Sequence, residues 1–92
     1  MITRIVRLEI SEEHVVDFKE FFDRNKAEIL SSPGCRSLLL KNEVGHPNVF
    51  FTISEWDKEE SLNEYRQSQF FREVWPNVKL WFSAKPLAYS LK

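Results

Sequence analysis

Apolar and polar residues alternate over Ile2–Ile10, and this period of two is typical of a β-strand with two different faces. The even-numbered face is apolar apart from Arg4, while the odd-numbered face is mixed and includes Ile5. The spacing then becomes helical, and we predict a helix over Glu12–Leu30 with the Ser11 hydroxyl as its N-cap. The apolar face of this helix comprises Val15, Phe18, Phe22 and Ile29.

The predicted helix ends at the turn SSPGC, because Pro33 and Gly34 both disfavour its continuation. Two runs rich in strand-forming residues follow, over Arg36–Asn42 and Asn48–Trp56. The segment EVGHP between them contains a glycine and a proline and suits a hairpin connection. These two runs are therefore predicted to pair as antiparallel strands.

Helical spacing returns after the second of these strands. Asp57 and Glu60 have the spacing of a capping box, which predicts the start of a second main helix. Another helical segment is predicted over Phe71–Phe82, where Pro76 either kinks the helix or begins a new turn. One side of that segment carries Phe71, Val74 or Trp75, Val78 and Trp81. The residues LAYSL, at 87–91, predict a short final strand.

The order β, α, β, β, α, β predicts an α+β, ferredoxin-like fold over a single domain, residues 1–92. In this fold both helices cover one face of a four-stranded antiparallel sheet. The other sheet face also receives apolar side chains, since Ile5 and one residue each of the pairs Phe50/Phe51 and Leu38/Leu39 point to it. We therefore predict a homodimer in which two sheets pack face to face.

Composition and charge restrict the possible partners. The chain has 13 basic and 14 acidic side chains, a formal net charge of -1 and no long run of either sign. This balance gives no basic surface for nucleic acid, and no apolar run is long enough to span a membrane. The single cysteine, Cys35, rules out an internal disulfide and fits a reducing compartment. A cytoplasmic protein without nucleic-acid or membrane partners is expected.

Three stretches together resemble the antibiotic biosynthesis monooxygenase domain. They are PGC at 33–35, PNVFFTISEW at 47–56 and the following DKEESLNEYRQSQFF. The resemblance extends from the first strand to the last and implies the dimeric α/β barrel of that family. Its members include enzymes that oxygenate polycyclic phenols and quinols without metal or flavin, enzymes that degrade haem, and domains with no assigned chemistry.

The resemblance implies, as the first hypothesis, a cofactor-independent monooxygenase for an aromatic or quinol-type substrate. Such a site needs a dry cavity and hydrogen-bond donors for the substrate anion. Tyr65 and Arg4 are the predicted catalytic residues that hold the anionic oxygen. The predicted substrate-binding residues are Val6, Phe71, Trp75 and Trp81.

Each candidate residue also has a purely structural interpretation. Tyr65 could be an amphipathic core aromatic, Arg4 could pair with a helix glutamate, and Trp75 and Trp81 could cap a core or a subunit interface. The alternative hypothesis is therefore a non-catalytic ligand-binding or interaction dimer. If the aromatic residues only fill core and interface, no cavity of about 300 Å³ remains between helices and sheet.

Haem degradation is the third hypothesis and is disfavoured. The haem-degrading members carry Asn, Trp and an iron-ligating His where this chain has Val6, Tyr65 and Trp75, so the axial imidazole is missing. No two of His14, Cys35 and His46 have metal-ligand spacing, and we predict neither a protein-bound metal nor another cofactor.

Overall fold

A computed structural model describes all residues of the chain, Met1–Lys92. Four strands form one antiparallel sheet, in the spatial order Cys35–Glu43, His46–Trp56, Ile2–Glu9 and Leu87–Leu91, with the helices on one face. This arrangement confirms the predicted ferredoxin-like α+β fold. No helix is both long and apolar enough to cross a membrane. The elements are β1 (Ile2–Glu9), a 3₁₀ turn (Glu12–His14), α1 (Val15–Leu30), β2 (Cys35–Glu43), β3 (His46–Trp56), α2 (Glu59–Arg66), α3 (Gln69–Lys79) and β4 (Leu87–Leu91).

The register of the sheet assigns each residue to one of its two faces. Arg4 pairs with Ser54 on one side and with Ser90 on the other, and Leu38 continues this row on β2. This row lies on the helix-covered face, because it shares the parity of the buried core residues of β1 and β3. The next row belongs to the outer face and contains Leu39, Ile53, Ile5 and Tyr89.

Two of the predicted helix caps are wrong. Ser11 makes no side-chain cap; its carbonyl oxygen accepts from the His14 amide at 2.8 Å, because the chain first forms a 3₁₀ turn. Asp57 does not cap α2 either, since its carboxylate binds the Arg36 guanidinium of β2, with one contact at 2.8 Å. Lys58 is the N-cap residue instead, without a side-chain hydrogen bond.

Helix α3 begins and ends earlier than the sequence predicts. The Ser68 hydroxyl accepts a hydrogen bond from the Phe71 amide at 3.2 Å and caps the N-terminus. Pro76 lies inside the helix, where it removes one backbone hydrogen bond without dividing the element in two. The helix stops at Lys79, so Trp81 lies beyond its end and does not share its apolar side.

The turn before β2 packs tightly against α2. Gly34 has a φ of +85°, and its carbonyl accepts from the Asp57 amide at 2.8 Å. A Cβ atom at this position would overlap with the side chain of Ser61, which is itself buried. Glycine is therefore required here both for its backbone conformation and for the close approach of the two elements.

The core consists of two separate clusters. The larger cluster joins Leu8, Ile10, Phe18, Phe50 and Val78, and the smaller joins Ile2, Trp56 and Leu62. Between them, β2 contributes Leu38 to the helix-covered face of the sheet, while β1, β3 and β4 carry polar or small side chains there. These are Arg4, Val6, Thr52, Ser54, Ala88 and Ser90. These side chains consequently leave the space between helices and sheet unfilled in the region between the two clusters.

Candidate functional site

A cavity of about 300 Å³ occupies the space between the two core clusters. Its walls come from the sheet, α1, α2 and α3, and it meets solvent where the exposed Arg66, Lys79 and Ala88 line it. Its volume lies at the lower end of the range for small-molecule sites, which suits a compact ligand. A core completely filled by the aromatic residues is therefore ruled out.

One wall of the cavity is a continuous series of aromatic rings. Tyr65 of α2 packs on the buried Trp56 ring with centroids 5.2 Å apart and meets the edge of Phe71 at 5.3 Å. Phe71 in turn stacks on Trp75 at 5.5 Å with an interplanar angle of 18°. These rings hold one another in place and give the cavity an aromatic wall, against which the rings of an aromatic ligand can pack.

The sheet contributes three polar side chains to the cavity lining. Arg4 is half-buried, and its Nη1 donates to Ser90 Oγ at 2.9 Å, which orients the guanidinium. Ser54 is buried beside it and accepts a hydrogen bond from the Trp56 indole Nε1 at 2.9 Å. The half-buried hydroxyl of Thr52 also lines the cavity.

The electrostatic character of the cavity is positive. Arg4, Arg66 and Lys79 line it, whereas no aspartate or glutamate does. Partial burial, and then the nearby charge of Arg66, lower the pKa of the Arg4 guanidinium. An arginine remains charged at neutral pH despite such a shift, so the cavity holds uncompensated positive charge.

Tyr65 is a hydrogen-bond donor at all physiological pH values. Burial, and to a smaller extent the neighbouring Cys35, raise the pKa of Tyr65 to about 12. None of the other lining residues is a histidine, a carboxylate or a cysteine. The cavity therefore provides donors and positive charge for an anion, but it contains no group that accepts a proton near neutral pH.

The structure brings five of the six predicted site residues together. Arg4, Val6, Tyr65, Phe71 and Trp75 all line the cavity. Trp81 does not: it stacks on His14 at 5.9 Å and meets the edge of Phe21 at 6.1 Å. The prediction for Trp81 assumed a helix continuing to Phe82, and α3 ends at Lys79.

The alternative interpretation of Arg4, an ion pair with a helix glutamate, does not apply, since the four ion pairs of the chain involve other residues. His14 pairs with Asp17. His46, the first residue of β3, pairs with Glu43, the last residue of β2. No three histidine, cysteine or acidic side chains are grouped as metal ligands.

Several cavity residues were missed at the sequence level. Thr52 and Ser54 were detectable, because they are polar residues on the apolar face of a strand that ends at buried Trp56. Arg66 and Lys79 gave no such signal, since exposed cations near helix ends are common. Only the tertiary arrangement places them at the mouth of a cavity.

Sequence and structure comparisons identify the class of protein. The model of the antibiotic biosynthesis monooxygenase family matches residues 1–75. The chain therefore belongs to this family. A comparison with curated proteins gave no significant match.

Solved structures share the fold over essentially the whole chain. A conserved protein from Methanosarcina mazei Go1 superposes with a TM-score of 0.92 at 22% identity, covering 100% of this chain and 92% of that one. A structure described as an antibiotic biosynthesis monooxygenase gives 0.91 at 16% identity, with 100% and 97% covered. Rv0793 from Mycobacterium tuberculosis gives 0.89 at 15% identity, with 99% and 92% covered. At these identities the likeness concerns the fold alone.

Proposed function

We propose that this protein is a cofactor-independent monooxygenase that acts on a small aromatic or quinol-type substrate bound in the cavity. The observation that carries the proposal is the combination of an aromatic wall with hydrogen-bond donors and positive charge, and no acidic group, around one cavity. Membership of the antibiotic biosynthesis monooxygenase family supports this reaction class. Tyr65 and Arg4 are the proposed catalytic residues.

The proposed reaction needs only the substrate and O₂ as reactants. For a methylene group flanked by aromatic rings and activated by an ionised phenol, the substrate anion passes one electron to O₂. The substrate radical and superoxide combine into a carbon-bound peroxide anion, which takes back one proton from water, and the hydroperoxide so formed loses water to leave a carbonyl group. One oxygen atom enters the product, the other leaves as water, and the substrate supplies all the electrons.

The protein's part is to favour the substrate anion and to exclude water. Positive charge at Arg4 and the Tyr65 hydroxyl would lower the pKa of a bound phenol, because both interact better with its ionised form. Phe71, Trp75 and Val6 would enclose the rings and keep the radical pair away from solvent. The proton itself must leave to water, since no lining residue accepts it.

A second candidate is a non-catalytic ligand-binding protein that uses the same cavity. The observation that favours it is the absence of a basic group among the lining residues. In this case aromatic ligands bind but consume no oxygen.

The proposed functional form is a homodimer packed through the outer sheet face. An unbroken apolar row crosses all four strands on that face, and Leu39 and Tyr89 at its ends are 48% and 53% exposed. Only 13 of the 92 residues are buried, so the chain alone has a small core. Packing two such faces together would remove a large apolar surface from water.

Labelled oxygen gas tests the reaction directly. With an anthrone that bears phenolic hydroxyls, the proposal predicts one labelled atom in the product carbonyl and one in water. Unlabelled product, or release of hydrogen peroxide in a one-to-one ratio with oxygen consumed, would show simple autoxidation. Binding of the anthrone without oxygen consumption would support the ligand-binding candidate instead.

A further inference from the structure

Arg4 and Arg66 are the two arginines that line the cavity, and neither is neutralised by an acidic side chain. Of the other four arginines, Arg7 contacts Glu9 at 3.3 Å and Arg36 binds Asp57, whereas Arg24 and Arg72 form no ion pair and lie outside the cavity. Arg4 has only the neutral Ser90 hydroxyl as a side-chain partner. Arg66 forms no ion pair with an acidic residue, although its own helix begins with two glutamates.

These two arginines face the same space. Both line the cavity, and Arg4 feels the positive charge of Arg66. Two like charges around a partly desolvated space repel each other, and the repulsion is relieved when an anion binds between them. Lys79, from α3, adds a third positive charge to the same lining. Thus three of the 13 cations of the chain line the cavity, against none of its 14 acids.

Two of the three positive charges lie where the cavity meets solvent. Trp56 is buried and closes the inner part of the cavity, whereas Arg66 and Lys79 are exposed and mark its mouth. Arg4 is half-buried and lies on the sheet beside Ser54. A ligand that satisfies both regions has an apolar ring system at one end and a negative charge at the other.

We infer that the cavity recognises an aromatic carboxylate, with the ring system against Phe71 and Trp75 and the carboxylate between Arg4 and Arg66. The planar forks of two guanidinium groups match the geometry of a carboxylate and form charge-assisted hydrogen bonds with it. This inference rests on the proposed function in taking the cavity to be the binding site of a small aromatic molecule. It adds that the molecule carries a permanent charge in addition to any ionisable phenol.

Calorimetric titration of the full chain with naphthoate and with its neutral isostere naphthamide tests the inference. The wild-type protein is expected to bind naphthoate about tenfold more tightly, as a charge-assisted hydrogen bond implies. Arg66→Gln changes an exposed side chain and should fold normally; it is expected to reduce the preference, and Arg4→Gln combined with it should abolish the preference. Arg72→Gln, an exposed arginine of α3 outside the cavity lining, is the matched control and should keep it.

The outcomes separate this inference from the proposed function. Equal affinity for naphthoate and naphthamide, or a preference that survives in the double variant, would overturn the carboxylate assignment while leaving the aromatic cavity intact. Failure of both compounds to bind would contradict the aromatic cavity and the carboxylate together. Binding of naphthyl phosphate at least about tenfold more tightly than naphthoate would overturn the carboxylate assignment in favour of a phosphate ester.

Discussion

Arg4 Nη1 donates a hydrogen bond to Ser90 Oγ at 2.9 Å, joining the first strand of the sheet to the last. The two residues are also direct register partners, so the contact follows from the pairing of β1 with β4. It fixes the guanidinium at the cavity and leaves its remaining donors for a ligand. A short, exposed edge strand thereby orients the central charged group of the site.

Ser90→Ala is expected to weaken naphthoate binding about fivefold, since a neutral hydrogen bond that orients a charge contributes on the order of 1 kcal/mol. Arg4→Gln should have the larger effect, because it removes the charge itself. Ser83→Ala is the matched control: Ser83 is also an exposed serine bonded to a charged residue of β1, but its partner is Glu9, outside the cavity. Equal naphthoate affinities for Ser90→Ala and Ser83→Ala in calorimetry would show that Ser90 does not orient Arg4.

The pH dependence of oxygen uptake should follow the substrate rather than the protein. Because the pKa of Tyr65 is raised to about 12, this residue remains a donor well above pH 10, where an ordinary tyrosine ionises. We therefore expect kcat/KM to rise with pH through the pKa of the substrate phenol and to show no descending limb up to about pH 10. A substrate with a more acidic phenol should shift the ascending limb to lower pH by the same amount. An ascending limb that stays fixed when the substrate changes would reveal a protein base absent from this account.

Gly34→Ala should destabilise the protein much more than Gly45→Ala. Both glycines have a positive φ, of +85° and +83°, so an alanine at either position costs about 1 kcal/mol in backbone strain. At Gly34 the new methyl group also overlaps with Ser61, and overpacking adds roughly 1–3 kcal/mol, whereas no atom lies within 4 Å at Gly45. Urea unfolding at one fixed protein concentration measures both values. Equal free-energy losses would mean that the turn and α2 are not in close contact.

Leu39→Arg should convert the proposed dimer into a monomer. Leu39 lies in the apolar row of the outer sheet face, and a charge there would be buried without a partner at the two-fold interface. Leu80→Arg introduces the same charge at a leucine that is 80% exposed at the end of α3, and it should leave the assembly unchanged. Sedimentation at micromolar concentration distinguishes the two. A monomeric wild-type protein under these conditions would contradict the proposed homodimer.

Strand alternation made most of the fold predictable from the sequence. The period of two along β1 indicated which of its side chains face the helices, and the order of elements predicted the topology. The alternatives Phe50 or Phe51 and Leu38 or Leu39 were open because adjacent apolar residues satisfy either register; the structure places Phe50 and Leu38 inward. Turn residues marked the end of α1 at Leu30 correctly, whereas the hairpin strands extend to Glu43 and from His46, so that the connection is shorter than the predicted EVGHP.

Local signals were less reliable where a tertiary partner competes for the same group. The Asp57 carboxylate fits a capping box in sequence, but Arg36 on the neighbouring strand binds it instead. The helix predicted to reach Phe82 ends at Lys79, and Trp81 stacks on His14 rather than lining the cavity. The cation cluster of the cavity was not predictable at all, since it assembles from one strand and two helices.

The proposed monooxygenase reaction, with Tyr65 as a hydrogen-bond donor, is tested by oxygen uptake with a panel of hydroquinones and polyhydroxylated aromatics, including carboxylated members. Purified protein, Tyr65→Phe and Tyr89→Phe are compared with heat-denatured protein as the background. We predict uptake above background for the native protein, a loss of about 100-fold in Tyr65→Phe, as for removal of an oxyanion donor, and near wild-type rates in Tyr89→Phe, whose hydroxyl lies on the outer sheet face. Uptake at the background rate for every compound, or equal uptake by native protein and Tyr65→Phe, would contradict the account.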